Sequence, residues 1–269
     1  MAPRAAALIA LALLLGGCLK PPRKAATAPT CGGCHEPHYT SRARCEECHR
    51  GDPAAARKEL AHSRLVTGGA AEHVLPDGPV VREGRQLVER LACRRCHTIA
   101  GEGNRLATEL DAIVWKREQE QLAASITKPV ENMPDFGLES LQVEAVIAYL
   151  LSAGSRDKPL DSYRVHFERG AADRTSVFED KCGGCHRFLS PLGARGRGSA
   201  GPNLSGLFTQ FYPRTAPGDQ PWTAKALADW VRNPRLVRPA TTMPPVELSE
   251  DERERVTREL GWPGPPTEP

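Results

Sequence analysis

Eight of the nine cysteines in this 269-residue chain fall into four pairs, with two residues between the cysteines of each pair. A histidine follows the second cysteine of every pair, although the chain contains only 8 histidines. The four motifs are Cys31-x-x-Cys34-His35, Cys45-x-x-Cys48-His49, Cys93-x-x-Cys96-His97 and Cys182-x-x-Cys185-His186. Two thiols about one helical turn apart can form two covalent bonds to one ligand, while the next residue offers an imidazole to a metal.

The Cys-x-x-Cys-His pattern is the attachment site of c-type haem. The two thiols reach the two vinyl groups on one edge of a porphyrin, and the imidazole projects to the iron. Zinc ribbons also pair such cysteines, but they do not need a histidine after every pair. Disulfides would explain the cysteines but not the histidines, and a thioredoxin-like motif would occur once in a βαβ setting. The sequence therefore predicts four covalently attached haem c groups.

The sixth ligand of a haem iron largely decides its function, and only Met133 and Met243 remain besides the initiator methionine. Each stands directly before a proline, downstream of one of the last two motifs. Apolar residues at helical spacing lead into Cys93, and a second helical stripe follows Met133 and ends at Gly154. The two stripes are Val80, Leu87, Val88 and Leu91, and then Leu138, Leu141, Ala145, Val146, Tyr149 and Leu150.

This order of helix, haem motif, methionine loop and helix closely resembles a class I cytochrome c domain. A second copy runs from about Gly170 to Gly261, with a glycine-, arginine- and proline-rich insertion after its motif. Ser249 and Glu252 fit a capping box at the start of its last helix, and Gly261 fits the stop. The resemblance implies methionine as the sixth ligand in both copies, which raises the reduction potential relative to two imidazoles.

The resemblance also implies a backbone partner for the motif histidine of each copy. In the family, a proline of a Gly-Pro segment accepts a hydrogen bond from the proximal imidazole and so orients it. Pro202 matches that position for His186. The first copy has Gly-Asn-Arg-Leu at residues 103–106 instead, so the sequence assigns no such carbonyl to His97.

The first two motifs lie too close together for separate class I domains, and no methionine follows them before Met133. The stretch His35-Glu36-Pro37-His38 resembles the doubled motifs of multihaem cytochromes, whose haems usually have two histidine ligands. His38 lies too near His35 to reach the same iron, but it could reach the iron held by His49. The candidate distal ligands are His38 and His62, with His73 and His166 as alternatives.

His62 is predicted to lie on a helix, because Asp52 fits an N-cap, Pro53 fits the first helical position and Gly68 fits a stop. No histidine precedes Cys31 in the chain, so both distal ligands must come from downstream or from a partner.

The N-terminus has the pattern of an export signal. Residues 5–15 form an unbroken apolar run after Arg4, which matches a signal-peptide core and is too short to span a bilayer. The sequence Leu15-Gly16-Gly17-Cys18 resembles the lipobox of bacterial lipoproteins, which implies cleavage before Cys18 and acylation of that cysteine. We therefore expect a protein on the periplasmic side of the bacterial cell envelope, lipid-anchored to the inner or the outer membrane.

Composition agrees with a chain that needs cofactors to complete its core. Only 5% of the residues are aromatic, with 4 Trp, 4 Tyr and 6 Phe in the chain, so large apolar side chains are few. The formal net charge of +3 is too balanced to indicate a nucleic-acid partner.

We expect an all-α fold with a signal peptide (1–17), a tether (18–30), a bis-histidine dihaem module with little regular structure (31–76), a class I cytochrome c domain (77–155) and a second such domain with an insertion (156–269).

These observations predict a tetrahaem cytochrome that carries electrons one at a time between redox-protein partners, such as a respiratory complex or other cytochromes. The alternative is a haem enzyme of the dihaem peroxidase or multihaem oxyanion reductase type, which needs an open or displaceable iron position. Because candidate sixth ligands exist for all four haems, the sequence favours a carrier with no catalytic residues and no small-molecule substrate.

Overall fold

The structure is a computed structural model that describes residues 31–130, 132–160, 176–190 and 193–261. The predicted signal peptide, Cys18, the tether and His166 lie outside these residues. Within them the chain is mostly helical, and no helix is long and apolar enough to cross a membrane. The helices are α1 (Cys45–His49), α2 (Lys58–Ala61), α3 (Pro79–Arg90), α4 (Leu110–Lys116), α5 (Gln119–Thr127), α6 (Ser140–Ala153), α7 (Val177–Lys181), α8 (Ala224–Arg232), α9 (Pro234–Val237) and α10 (Glu250–Leu260), with 3₁₀ turns at Cys31–Gly33, Gly68–Val74 and Cys93–Arg95.

The first helical unit is built on the contact between α3 and α6. Its predicted apolar stripes form these two helices, and Gly84 of α3 meets the backbone of α6. A Cβ at Gly84 would overlap the carbonyl oxygen of Ala145, so only glycine allows the two backbones to approach this closely. α6 ends at Gly154, as the sequence predicts. The buried stretch Ala145–Leu151 packs against α3, α4 and the 3₁₀ turn at Gly68–Val74, so nearly every face of this half of α6 is covered.

Leu141 belongs to the apolar stripe predicted for this helix, but it is not buried. It lies in the first turn of α6 and is 75% exposed, because the packing partners cover only the later turns.

The hydrophobic core of this unit also crosses the domain boundary expected at residues 76 and 77. Val66 and Ala70 are fully buried and belong to the same core as α3 and α6. The backbone of Gly69 donates a hydrogen bond of 2.7 Å to the carboxylate of Glu144 on α6. The end of the N-terminal segment is therefore anchored on the first helical unit.

The prediction of one helix from Asp52 to Gly68 is wrong, because only α2 is α-helical in this stretch. The Asp52 carboxylate accepts a hydrogen bond from the Ala54 amide and closes a local turn, while the Asp52 amide donates to the Ala61 carbonyl. Both bonds fold the segment back on itself. His62 directly follows α2, and Gly68 has a φ of +60° and begins the 3₁₀ turn instead of ending a helix.

The second helical unit joins α7 to α10. The Glu259 carboxylate on α10 accepts hydrogen bonds from the Val177 and Phe178 amides, at 2.9 and 3.2 Å, and so caps the start of α7. The capping box of Ser249 and Glu252 and the stop at Gly261 are confirmed. The core consists of Val177, Phe178, Phe188, Leu207, Tyr212, Leu227, Val231, Val256 and Leu260.

The insertion of the second unit departs from the expected all-α fold. Strands β1 (Phe188–Ser190) and β2 (Gly193–Arg195) pair in antiparallel fashion directly after the fourth motif. Phe188 on β1 packs edge-on against Phe178 of α7, with ring centroids 4.6 Å apart. This aromatic contact anchors the short sheet to the core.

Candidate haem sites

Each of the four cysteine motifs folds into a single helical turn. The histidine amide donates to the carbonyl of the first cysteine at 3.0 Å in the first motif, 3.0 Å in the third and 2.9 Å in the fourth. The second motif is α1 itself. The turn brings the two thiols of each motif to neighbouring positions with the imidazole directly after them, which is the arrangement that haem attachment requires.

Three of the four motif histidines are held through their Nδ1 atoms. The hydrogen bonds run from His49 to the Val66 carbonyl (2.9 Å), from His97 to the Thr108 carbonyl (2.7 Å) and from His186 to the Pro202 carbonyl (2.9 Å). Because a carbonyl oxygen can only accept, Nδ1 carries the hydrogen in each ring and Nε2 is left with its lone pair. This is the tautomer that ligates a metal through Nε2.

The backbone partner of His186 is the proline that the sequence predicts, whereas sequence reasoning missed the partner of His97. Thr108 lies 11 residues after His97 and carries no motif. Burial also lowers the pKa of His97, which favours the neutral form that metal ligation needs. Gly201 lies so close to the ring of His186 that a Cβ there would overlap the imidazole.

The N-terminal segment brings its four histidines together in two pairs. The ring centroids of His35 and His62 are 5.9 Å apart, and those of His38 and His49 are 5.5 Å apart. Since metal–imidazole bonds are about 2 Å long, two rings on opposite sides of one iron have centroids about 6 Å apart. Both pairs fit this spacing.

A cavity of about 820 Å³ lies at these two pairs. Its walls contain three of the four cysteines and both histidines of the N-terminal motifs, and its size is within the range of roughly 300–1,000 Å³ typical of pockets for organic ligands. The cavity therefore fits a large planar group attached at Cys31, Cys34 or Cys45.

His73, one of the two alternative distal ligands, does not belong to either histidine pair. It is 4% exposed, and its ring packs edge-on against Trp115 of α4 at 5.5 Å. Its Nδ1 atom lies 3.3 Å from the Ala70 carbonyl, while its buried Nε2 has no hydrogen-bond partner among the described residues. The structure thus brings His62, and not His73, against His35.

The two methionines differ in how firmly they are held. Met243 packs against the same core as Cys182 of the fourth motif, and its Sδ accepts a hydrogen bond of 3.0 Å from Trp230 Nε1. The Met133 amide donates to the Val130 carbonyl at 3.3 Å. Both methionines are half-buried.

The eight motif cysteines form no disulfide among the described residues, and burial raises the pKa of Cys93 and of Cys182 to about 11. Within the described residues, no group of three or more His, Cys, Asp or Glu is arranged to hold a metal ion directly.

The third motif is in direct contact with the second helical unit. Arg95 Nη1 donates to the Asn203 carbonyl at 3.1 Å, and the Arg95 guanidinium lies 5.8 Å from the ring centroid of Tyr212. The side-chain amide of Asn203 donates to the carbonyl of Asn132, next to Met133, at 3.0 Å. Asn203 directly follows the carbonyl that holds His186, so one short segment contacts both class I-like units.

A second contact joins the N-terminal segment to the first helical unit. Arg50, which directly follows His49, is 5% exposed and donates to the carbonyls of Val114 and Trp115 at 3.2 and 2.8 Å. Burial lowers its pKa to about 10. Its guanidinium also lies 5.5 Å from the centroid of the Trp115 ring.

Residues 79–150 match the protein family described as cytochrome c oxidase, cbb3-type, subunit III. The match covers about a quarter of the chain and contains the third motif and Met133. No curated protein and no solved structure matches the chain. The family match supports the prediction of a c-type cytochrome and implies, for the matched residues, covalently attached haem c with a role in electron transfer. The number of haems, the dihaem module and the lipoprotein signal stay predictions.

Proposed function

We propose that this protein is a tetrahaem cytochrome that carries electrons one at a time between redox proteins of a bacterial cell envelope. The observation that carries the proposal is the pairing of His35 with His62 and of His38 with His49. A haem with an imidazole on each side has no open position for a substrate, so these two sites suit electron transfer and not catalysis.

The residues of the chain have separate tasks in this function. When bound, haem would supply the one-electron chemistry, and the two thiols of each motif would hold it covalently. The backbone carbonyls of Val66, Thr108 and Pro202 keep three motif imidazoles in the tautomer that ligates through Nε2. Met133 and Met243 would be the sixth ligands of the third and fourth haems.

The ligand types predict a direction of electron flow. A thioether ligand raises the reduction potential relative to a second imidazole, so electrons favour running from the N-terminal pair to the two methionine-ligated haems. With a lipid on Cys18, the low-potential end would lie nearest the membrane. The partners would be a respiratory complex or other cytochromes, with no nucleic acid.

A ligand-resolved spectrum of the holo-protein tests the proposal. The near-infrared bands of the oxidised protein distinguish His/Met from His/His haems, and we expect two of each. The variants His38→Ala and His62→Ala should each convert one His/His haem into a high-spin form that binds cyanide. His73→Leu is the matched control, because the ring of His73 packs against Trp115 and forms no ring pair with any of the four paired histidines.

Two results would contradict the carrier. A high-spin ferric haem in the wild-type protein would indicate an open iron position and favour a haem enzyme. Equal potentials for the two spectral types, or a higher potential at the His/His haems, would remove the predicted direction of electron flow.

A further inference from the structure

The sulfur of Met243 has a specific hydrogen-bond donor. Trp230, in the last turns of α8, places its indole Nε1 3.0 Å from Met243 Sδ. An indole nitrogen can only donate, and a thioether sulfur can only accept. The direction of the bond is therefore fixed, from the ring of Trp230 to the sulfur of Met243.

Several contacts hold this pair in place. The Val246 amide donates to the carbonyl of Val231, next to Trp230, at 2.8 Å. The Met243 amide donates to Thr241 Oγ1 at 3.3 Å. The loop that contains Met243 is therefore hydrogen-bonded to α8 after Met243, through Val246, and to Thr241 before it.

A cation lies against the donor ring. The guanidinium of Arg238 is 5.5 Å from the centroid of the Trp230 ring, and its Nη2 donates to the Thr215 carbonyl at 3.3 Å. A cation against an indole draws on the electron density of the ring. The Nε1–H group of Trp230 becomes a stronger donor as a result.

We propose that Trp230 is a positioning residue that raises the reduction potential of the haem attached at Cys182 and Cys185. This inference rests on the proposed function, in which Met243 ligates that haem. A hydrogen bond to the sulfur withdraws electron density that would otherwise stabilise ferric iron, so the ferrous form is favoured. Hydrogen bonding to an iron ligand is one of the levers by which a protein sets a haem potential.

The test compares Trp230→Phe with Trp222→Phe in the holo-protein. Phenylalanine keeps an aromatic ring but has no N–H. Trp222 is a matched control because it packs edge-on against Trp230 at 5.8 Å but donates its Nε1–H to Thr215 Oγ1. We expect Trp230→Phe to lower the reduced-to-oxidised ratio of one His/Met haem about tenfold, a shift of about 59 mV for one electron. Trp222→Phe should leave the potential unchanged.

The near-infrared His/Met band of each variant distinguishes the possible failures. If the wild-type protein shows a His/Met band for the fourth haem and Trp230→Phe keeps it without lowering the potential, this inference is wrong and the carrier proposal stands. If the wild-type fourth haem shows no such band, both are wrong. Should Trp230→Phe not fold, Arg238→Gln keeps the indole and should shift the same potential downward by a smaller amount. An unchanged potential in that variant would also overturn the inference.

Discussion

At the scale of single residues, the carbonyl partners of the motif histidines decide which ring nitrogen is free. The three carbonyls come from Val66, Thr108 and Pro202, which lie 17, 11 and 16 residues along the chain from their histidines. The three residues that provide these carbonyls are of different types. Each histidine needs one acceptor for its Nδ1–H group, and three unrelated segments of the chain provide it.

Buried His73 makes stability depend on pH. Burial lowers its pKa from 6.5 to about 4, so the unfolded chain binds a proton between these values and the folded chain does not. Stability must then fall as the pH drops through this window, by about 3 kcal/mol for a shift of this size. Denaturant unfolding of the wild-type protein at a series of pH values measures the loss.

The variant His73→Leu isolates this contribution from those of other titrating groups. It removes the titrating ring, whose Nε2 is buried without a partner, and should flatten the pH dependence of the unfolding free energy below pH 6.5. Parallel pH profiles for the wild-type protein and the variant would show that His73 titrates normally in the fold.

Residue types and spacing were sufficient for the four motifs because the chemistry is local: five consecutive residues form one turn. They were also sufficient for Pro202, through a resemblance. They could not assign Thr108, because a backbone carbonyl leaves no trace in the sequence. They could not assign Trp230 either, because it lies on α8 whereas Met243 lies in the loop before α10, and no motif joins the two residues.

At the scale of elements, the crossing of α3 and α6 depends on Gly84. A Cβ at this position would overlap the carbonyl of Ala145 and press on Tyr149. Gly84→Ala should therefore destabilise the fold by about 1–3 kcal/mol, the usual cost of overpacking, despite the better helix propensity of alanine. The measurement is the midpoint of denaturant unfolding followed by far-ultraviolet circular dichroism.

Gly184→Ala is the matched control for this variant. Gly184 has open space around its Cβ position and no positive φ, so alanine there should leave the unfolding midpoint within experimental error or raise it slightly. Equal midpoints for Gly84→Ala and the wild-type protein would mean that the two helices can separate without loss of stability.

Periodicity predicted the helices that pack through a long apolar face. It indicated α3 and α6, and the capping box indicated α10. The cap and stop residues were misleading between Asp52 and Gly68, where a local turn and a hydrogen bond to the Ala61 carbonyl replace the predicted helix. Periodicity could not predict the exposure of Leu141, because the burial of a residue in the first turn depends on neighbours that are distant in sequence.

At the scale of the whole molecule, the units that carry the motifs are joined by polar contacts as well as by the chain, and two of these contacts are made by arginines. Arg50 links the residue after His49 to α4, and Arg95 links the third motif to the segment that holds His186. Each contact begins inside or directly beside a haem motif and ends on the backbone of a neighbouring unit. The relative positions of the haem sites are therefore fixed by hydrogen bonds and not only by linker length.

A substitution of Arg95 tests whether the contact between the third motif and the second helical unit matters for electron transfer. Arg95→Gln removes the bond to the Asn203 carbonyl and the cation against Tyr212, so the two methionine-ligated haems should be held less firmly and exchange electrons several-fold more slowly. Arg94→Gln is the control, because Arg94 donates to Tyr149 and Ile99 within its own unit. Photoreduction of the holo-protein followed by time-resolved absorbance at the two haems measures the rate. If both variants match the wild-type rate, the contact of Arg95 with the second helical unit is dispensable for electron transfer.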